Sequence, residues 1–448
     1  MKVASKYKEA KHMSRKERVW YEESGNRLDP GLIEQLRKDQ RNVYQATGTS
    51  EIPIIIKCRQ GCRDEEKDDL FQKCNVDSHN HLDREMRIIN SMKGTLTPDK
   101  IRQIKDHEAV ERIYYDRPVS AYLDITDSQI GSAQVRTDHN LSGEGVTIAV
   151  LDTGIHPHDD LTTPENRIIA FHDVINGETE PYDDNGHGTH CAGDAAGNGA
   201  MSDGEYKGPA PEAPIVGVKV LNGSGGGNLS NIIEGIEWCM ENKEEYGIQI
   251  LSLSLGSDAY ESFRRDPLSL AAQEAWQAGM IVCAAAGNSG PAPSTIGTPA
   301  INPFIITVGA ADDRDTVERS DDEIAEYSSR GPTIDQFVKP DIYAPGTNIV
   351  SLLSPDSTVA AERAEQIVDE HYIQMSGTSM ATPICAGVIA LMLEANPDLS
   401  PNDVKSILQM TGEPSFGSGW GYIDAQLAVE MAMRQAEDRQ APASADGQ

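Results

Sequence analysis

Asp152, His187, Asn288 and Ser379 stand at four places where the chain turns from an apolar run to glycine and small polar residues, or the reverse. Ser379 lies near the start of QMSGTSMATPICAGVIALML (374–393). Pro383 in that stretch lacks an amide donor and is tolerated near a helix start, where such a donor has no partner anyway. A helix is therefore predicted to begin close to Ser379, with the hydroxyl at the positive end of its dipole. Alone, such a serine reads as an N-cap. Asp152 ends GVTIAVLD and alone would be a turn aspartate, while Asn288 ends IVCAAAGN and alone would form an Asx turn. His187 and His190 lie in DDNGHGTHCAG, where Gly186 and Gly188 let the backbone come close to something. Taken together the four residues have a chemical logic. A serine hydroxyl is a weak nucleophile until an imidazole takes its proton, and the imidazole needs a carboxylate to fix its tautomer. The resulting oxyanion needs donors, which a side-chain amide and a helix-start N–H supply. Asp, His, Ser is one of three chain orders known for this chemistry.

The elements that must position these groups are also visible. GVTIAVLDTGI, APIVGVKVL, IQILSLSLG, MIVCAAAGN and PFIITVGA are short apolar runs separated by helical or glycine-rich segments. That pattern predicts a parallel sheet covered on both faces, with functional groups at the carboxyl ends of its strands. Upstream, EIPIIIKC reads as a strand, DEEKDDLFQKC as a helix and VERIYYDRPV as a strand. In TPDKIRQIKDHEAV a second helix is predicted, with Thr97 as N-cap, Pro98 in its first turn, and Ile101 and Ile104 facing inward. This makes a small α+β unit, preceded by a polar extension (1–48) with one short helix around 30–40. The tail from 435 to 448 is poor in apolar residues and is expected to be disordered.

Charge divides the chain in the same way. Residues 1–122 hold 24 Lys+Arg and 21 Asp+Glu, and the remainder 15 and 50, a balance of −35. The acidic part argues against a nucleic-acid partner, and two parts of opposite balance are expected to attract each other. The start of the chain lacks the apolar region of a secretory signal and no eighteen-residue apolar run occurs, so no membrane partner is expected. Seven cysteines, an odd number, read as reduced small hydrophobes. The spacing of Cys58, Cys62 and Cys74, with His79 and His81 nearby, matches no standard zinc pattern.

AVLDTGI, GHGTHCAG, AAAGNSG and GTSMATP resemble, in order, the four signatures of the subtilisin-like serine proteases, the subtilases. The resemblance covers about 124 to 434. It implies an α/β fold with a three-layer parallel-sheet catalytic domain (123–434), preceded by a small α+β ferredoxin-like domain (49–122) that resembles an inhibitory propeptide. It implies a serine endopeptidase in which Asp152 orients His187, His187 is general base and acid, and Ser379 is the nucleophile. Asn288 and the Ser379 N–H would form the oxyanion hole, and His190 would be structural. Gly223, Ser224 and Gly225, within Asn222–Gly226, resemble the edge segment that pairs with substrate, and Ser254, Leu255 and Gly256 the facing one. Ala284, Ala285, Ala286, Gly287 and Gly297 would line an open S1 pocket that favours a large apolar P1 residue. No cofactor is implied for catalysis. A structural calcium ion is the family's usual addition, with Asp160 as its candidate ligand, although the loop AAGNGAMSDGEYKGPAP departs from the family's calcium-binding loop.

The same resemblance implies a self-inhibited precursor, with protein and peptide substrates and its own N-terminal part as partners, and a monomer. PVSAYLDIT (118–126) is the segment expected to be cut, after Tyr122 or alternatively Leu123, with Val119 at P4. The odd cysteine count, the extension and the start of the chain are more similar to intracellular-type bacterial subtilases, so a cytoplasmic protein is expected, with release outside the cell as the alternative. Two other functions keep the same motifs: an acyl-transfer enzyme such as a peptide ligase, and a catalytically inactive peptide-binding module.

Overall fold

Ile52, Ile54, Ile55 and Ile56 are all inaccessible to water, and burying this run founds the small N-terminal unit. The computed structural model describes residues 20–22, 27–30, 32, 33, 35–37, 51–74, 81–86, 89–116, 118–121, 130–314, 319, 322–414 and 421–440. The chain divides into two compact units, 1–117 and 118–448. In the first, β1 (Ile52–Cys58), α1 (Asp64–Cys74), β2 (His81–Met86), β3 (Ser91–Leu96), α2 (Pro98–Ile104) and β4 (Val110–Tyr115) follow one another. The strands form one antiparallel sheet in the order β2-β3-β1-β4. This is the ferredoxin-like β-α-β-β-α-β arrangement. The start of α2 is as its sequence predicts: the Thr97 side chain accepts from Lys100 N, Pro98 lies in the first turn, and Ile101 and Ile104 are buried.

The extension corrects the expected boundary at residue 48. Trp20, Tyr21, Leu28, Leu32 and Leu36 are buried in the same core as β1 and β4. Asp29 Oδ1 accepts from Leu32 N at 3.0 Å and from Tyr115 N at 2.7 Å, and Arg27 Nη1 donates to the carbonyls of His107 and Val110. The described part of the extension is thus a structural part of the small unit, held by these side-chain bonds and by pairing of Leu28 with Ile113, which a polar composition does not reveal. Cys58 and Cys74 are core residues here, and His79 lies outside the described residues. No disulfide forms among the described residues, which include all seven cysteines.

The second unit is built on an eight-stranded sheet. β6 (Thr147–Asp152), β7 (Ile168–Asp173), β8 (Ile215–Lys219), β10 (Ile248–Leu253), β12 (Ile281–Ala285), β13 (Ile306–Asp312), β14 (Glu323–Ile324) and β15 (Ile342–Pro345) pair in the order β14-β13-β12-β10-β6-β8-β7, with β15 also on β13. All these pairings are parallel except β13 with β14. Every residue of β6 and β8 is buried, as strands covered on both faces require. The flanking helices include α3 (His187–Ala196), α4 (Leu229–Glu241), α5 (Pro267–Gln277), α6 (Thr358–Glu362), α7 (Thr378–Ala395), α8 (Pro401–Thr411) and α9 (Ala425–Gln440). α7 packs against α3 and the strands β6, β10, β12, β13 and β15, whereas α4 and α5 pack against each other and against β6 and β12 respectively. Sheet and helices make a three-layer α/β fold.

α7 is long and apolar enough to cross a membrane, but 89 % of it is buried inside this unit, so it is a core helix. Two further boundaries differ from expectation. The connection at 118–121 forms β5 (Pro118–Ala121), which belongs to the second unit because it pairs there with β9 (Gly226–Asn228) and β11 (Leu255–Gly256). At the other end α9 continues to Gln440, beyond the point where a disordered tail was expected. Arg439 holds its last turn, reaching the Asp398 carbonyl at 2.7 Å and the Asp403 carboxylate at 3.3 Å. Residues 441–448 lie outside the described residues.

Candidate active site

Asp152 is the last residue of β6 and His187 the first of α3, so one side chain leaves the carboxyl end of a central strand and the other a helix start. They meet at 2.6 Å, His187 Nδ1 to Asp152 Oδ1, with the two side chains 1 % and 0 % exposed. A carboxylate so placed fixes the proton on Nδ1, turns Nε2 into the acceptor and stabilises the imidazolium. The loop before His187 is organised by a residue the sequence did not single out. The Asp183 carboxylate accepts from the backbone N–H of Asn185, Gly186 and Thr189 and from the hydroxyls of Thr153 and Thr189. It thereby ties the start of α3 to the residue after Asp152. The doubled aspartate in DDNGHGTH was the available signal. A Cβ on Gly188 would lie 2.2 Å from the Gly154 carbonyl, which explains the glycine beside the histidine.

Ser379 lies in the first turn of α7. Its hydroxyl donates to the Ser254 carbonyl at 2.9 Å, and its own carbonyl accepts from Ser254 Oγ at 2.6 Å. That carbonyl is available because Pro383, four residues on, has no amide to offer it. The proline therefore marks more than a helix start: it frees an acceptor that ties α7 to the end of β10. The sulfur of Cys191 lies 3.7 Å from His187 Nδ1 and 3.6 Å from the Ser379 carbonyl, so one buried atom touches both residues. Asp152, His187 and Cys191 are the only group of three His, Cys, Asp or Glu that converges among the described residues.

Asn288 follows β12, half-buried. Its Oδ1 accepts from Thr378 N at 3.0 Å and from the Thr378 hydroxyl at 3.1 Å, which leaves Nδ2 as the outward donor. Thr378 also accepts from Gly287 N, so the residue before Ser379 sets the amide's orientation. Gly287 has φ +108°, and a Cβ there would meet Ser329 Oγ at 2.9 Å. A Cβ on Gly297 would meet the Ser257 carbonyl at 2.7 Å. These glycines serve close backbone approach; Ala284, Ala285 and Ala286 are buried beside them.

The strand edges differ in part from expectation. Leu255 and Gly256 pair with Ala121 and Ser120, as the facing segment should. On the other side the pairing residues are Gly226, Gly227 and Asn228, opposite Ser120, Val119 and Pro118. Gly223, Ser224 and Gly225, expected at this edge, form the turn before it. Asn222 Oδ1 accepts from Ser224 N, Ser224 Oγ and Gly226 N, and Gly225 has φ +76°. An Asx turn thus consumes these residues before the chain extends. Pro118–Ala121 runs as the middle strand between the two edges.

His190 is not available as a base. Its Nδ1 lies 3.0 Å from Asp194 and its Nε2 3.2 Å from the carbonyls of Ile349 and Ile373, all in the interior. Burial pushes the Asp194 carboxyl up, and His190 partly offsets this. Asp160 is fully buried, and its carboxylate accepts from Gly199 N, Met201 N and, at 2.7 Å, the Tyr372 hydroxyl. Two oxygens occupied by three protein donors do not fit the oxygen-rich shell a calcium ion requires.

The family model described as the subtilase family matches residues 143–425. The chain is 47 % identical over 366 residues to serine protease AprX of Bacillus subtilis (strain 168), covering 80 % of this chain and 82 % of that one. It is 36 % identical to subtilisin Savinase of Lederbergia lenta, over 67 % of this chain and 97 % of that one. With subtilisin E of Bacillus subtilis (strain 168) the identity is 31 %, over 78 % and 83 %. Four motifs in order, a carboxylate–imidazole pair at the end of a parallel strand and these matches lead to one conclusion: the chain is a member of the subtilase family, a subtilisin-like serine endopeptidase.

Proposed function

We propose that this endopeptidase cuts extended segments of protein chains with broad specificity, and that its own chain near Tyr122 is its first substrate. The observation that carries the reading is β5, a segment of this chain paired on both sides with strand edges of the catalytic unit. Backbone pairing of this kind reads extended shape before side chains, which supports broad specificity. Ala121, the last residue of β5, is paired opposite Leu255, and the next residue in the chain is Tyr122, which lies outside the described residues. In this reading Ser379 attacks the scissile carbonyl after its hydroxyl turns from the Ser254 carbonyl towards His187. His187 takes the proton, with Asp152 holding its other nitrogen, and later delivers it to the leaving amine. Asn288 Nδ2 and the Ser379 N–H receive the oxyanion. The N-terminal unit, delivering β5, acts as inhibitor until the bond is cut.

N-terminal sequencing of active enzyme and of its Ser379→Ala variant tests the proposal. Active protein beginning at Leu123 or Asp124, with a variant that is inactive on casein and remains uncut, is the expected result. Active enzyme that still begins near Met1 would overturn the self-cleavage, and turnover by the pure variant would overturn the role of Ser379.

A further inference from the structure

Four residues around the start of α6 hold the loop that delivers His187. Ser354 Oγ donates to the Asp183 carbonyl at 2.8 Å, Thr358 N to that of Asp184 at 3.0 Å and Val359 N to that of Asn185 at 2.9 Å. Ser357 packs on the next residue, Gly186, where an added Cβ would lie 2.6 Å from its hydroxyl oxygen. The four residues before the histidine are thus each held by 354–359. One side chain also reaches the other wall: Thr358 Oγ1 donates to the Gly223 carbonyl at 2.7 Å, and Asn185 Nδ2 donates to that same carbonyl at 3.1 Å. Gly223 lies in the turn that leads into β9, the edge strand along β5.

We propose that Thr358 is a positioning residue for substrate length: its hydroxyl fixes the turn before β9 to the His187 loop, and so sets the register in which an extended chain pairs with that edge. The inference rests on the reading that β9 pairs with substrate. Its physical basis is that Gly223, Ser224 and Gly225 have no side chain longer than serine with which to hold the edge. The turn is fixed internally by Asn222, but its attachment to the catalytic loop runs through the Gly223 carbonyl. Asn185 supplies one donor and Thr358 the other. Without the hydroxyl the pairing edge moves relative to His187, and an extended substrate loses bound register while the reacting groups themselves keep their places.

The test compares Thr358→Val with Thr358→Ser in the self-processed enzyme. The substrates are a succinylated tetrapeptide p-nitroanilide ending in phenylalanine and the ethyl ester of acetyl-tyrosine. For Thr358→Val, KM on the tetrapeptide should rise roughly three- to tenfold, the range one hydrogen bond spans. Its kcat should stay within about twofold of wild type. The loss on the ester should be smaller than on the tetrapeptide, and Thr358→Ser should restore the wild-type KM. Equal losses on both substrates, a loss confined to kcat, or no change at all would each overturn the inference. Failure of the β9 reading shows separately: wild-type enzyme would then gain nothing in kcat/KM when the substrate lengthens from one residue to four.

Discussion

Thr378 occupies Oδ1 of Asn288, so the Nδ2 proposed here as oxyanion donor is oriented by the residue that precedes Ser379. Replacing Asn288 by alanine should lower kcat roughly 10²- to 10³-fold with little change in KM, a magnitude itself taken from subtilisin. Steady-state kinetics on the tetrapeptide anilide check this; an unchanged kcat would mean that Asn288 only closes its turn. The Asp152–His187 pair was legible because both residues sit, as Asn288 and Ser379 do, at a junction between an apolar run and glycine or small polar residues, where an unbalanced polar side chain stands out. Asp183 was not, because a residue that accepts four local hydrogen bonds and one from Thr153, thirty residues away, looks like any loop aspartate until the loop is closed. Thr358 was not, because its partners Asp184 and Gly223 are more than a hundred residues away. Pro383 marks a helix start in the sequence, yet its larger effect, freeing the Ser379 carbonyl for Ser254, is a tertiary contact that spacing does not encode.

At the level of elements, the strands of the large sheet were legible because burial on both faces leaves no choice but continuous apolar sequence. The pairing edge lies later in the chain than the sequence predicts because Asn222 closes an Asx turn on the glycines that follow, and glycine-rich sequence reads equally as edge or turn. The loop after α3 is the clearest case of an element held by one buried charge. Gly208 N donates to the Gly197 carbonyl at 2.8 Å, which closes the loop, and Gly199 and Met201 donate into the Asp160 carboxylate from within it. Tyr372 reaches the same carboxylate from the strand Tyr372–Met375, and Asp160 N donates to Nδ1 of His158, whose protonation burial disfavours. Asp160→Asn leaves one acceptor oxygen for three donors and should destabilise the fold by about 1.5–3 kcal/mol, the value of a hydrogen bond to a charged group. Because protein donors fill this site, melting temperatures measured with EGTA and with added calcium should differ by the same amount in the variant as in the wild type. A calcium response present in the wild type and lost in Asp160→Asn would make the carboxylate a metal ligand after all.

For the molecule as a whole, charge is the property the sequence states most completely, since it is a sum and needs no fold. Residues 118–122 carry no ionisable acid or base other than Tyr122, so the −35 counted from 123 onwards is also the balance of the second unit from 118. Among the described residues nine acids of this unit are buried, against two buried lysines. Lys219 has Nζ bonded to the Thr153 carbonyl and to Asp184 at 2.6 Å, and Lys339 donates to Thr307 and Asp341. The other acids carry most of the excess at the surface, where like charges repel at distances comparable to the Debye length, about 10 Å at 0.1 M salt and about 30 Å at 0.01 M. Unfolding lets these charges move apart, so at low ionic strength self-repulsion favours the unfolded chain. The melting temperature of the Ser379→Ala variant, which avoids self-digestion, should therefore climb with NaCl. Most of the rise should fall below about 0.3 M, because beyond that the Debye length changes little. Sucrose at matched osmolality separates screening from solvent exclusion: it should produce a gradual rise with no steep initial part. A flat or falling NaCl curve up to molar salt would show that the acidic surface is already balanced by local pairs and that the net charge has no influence on this fold.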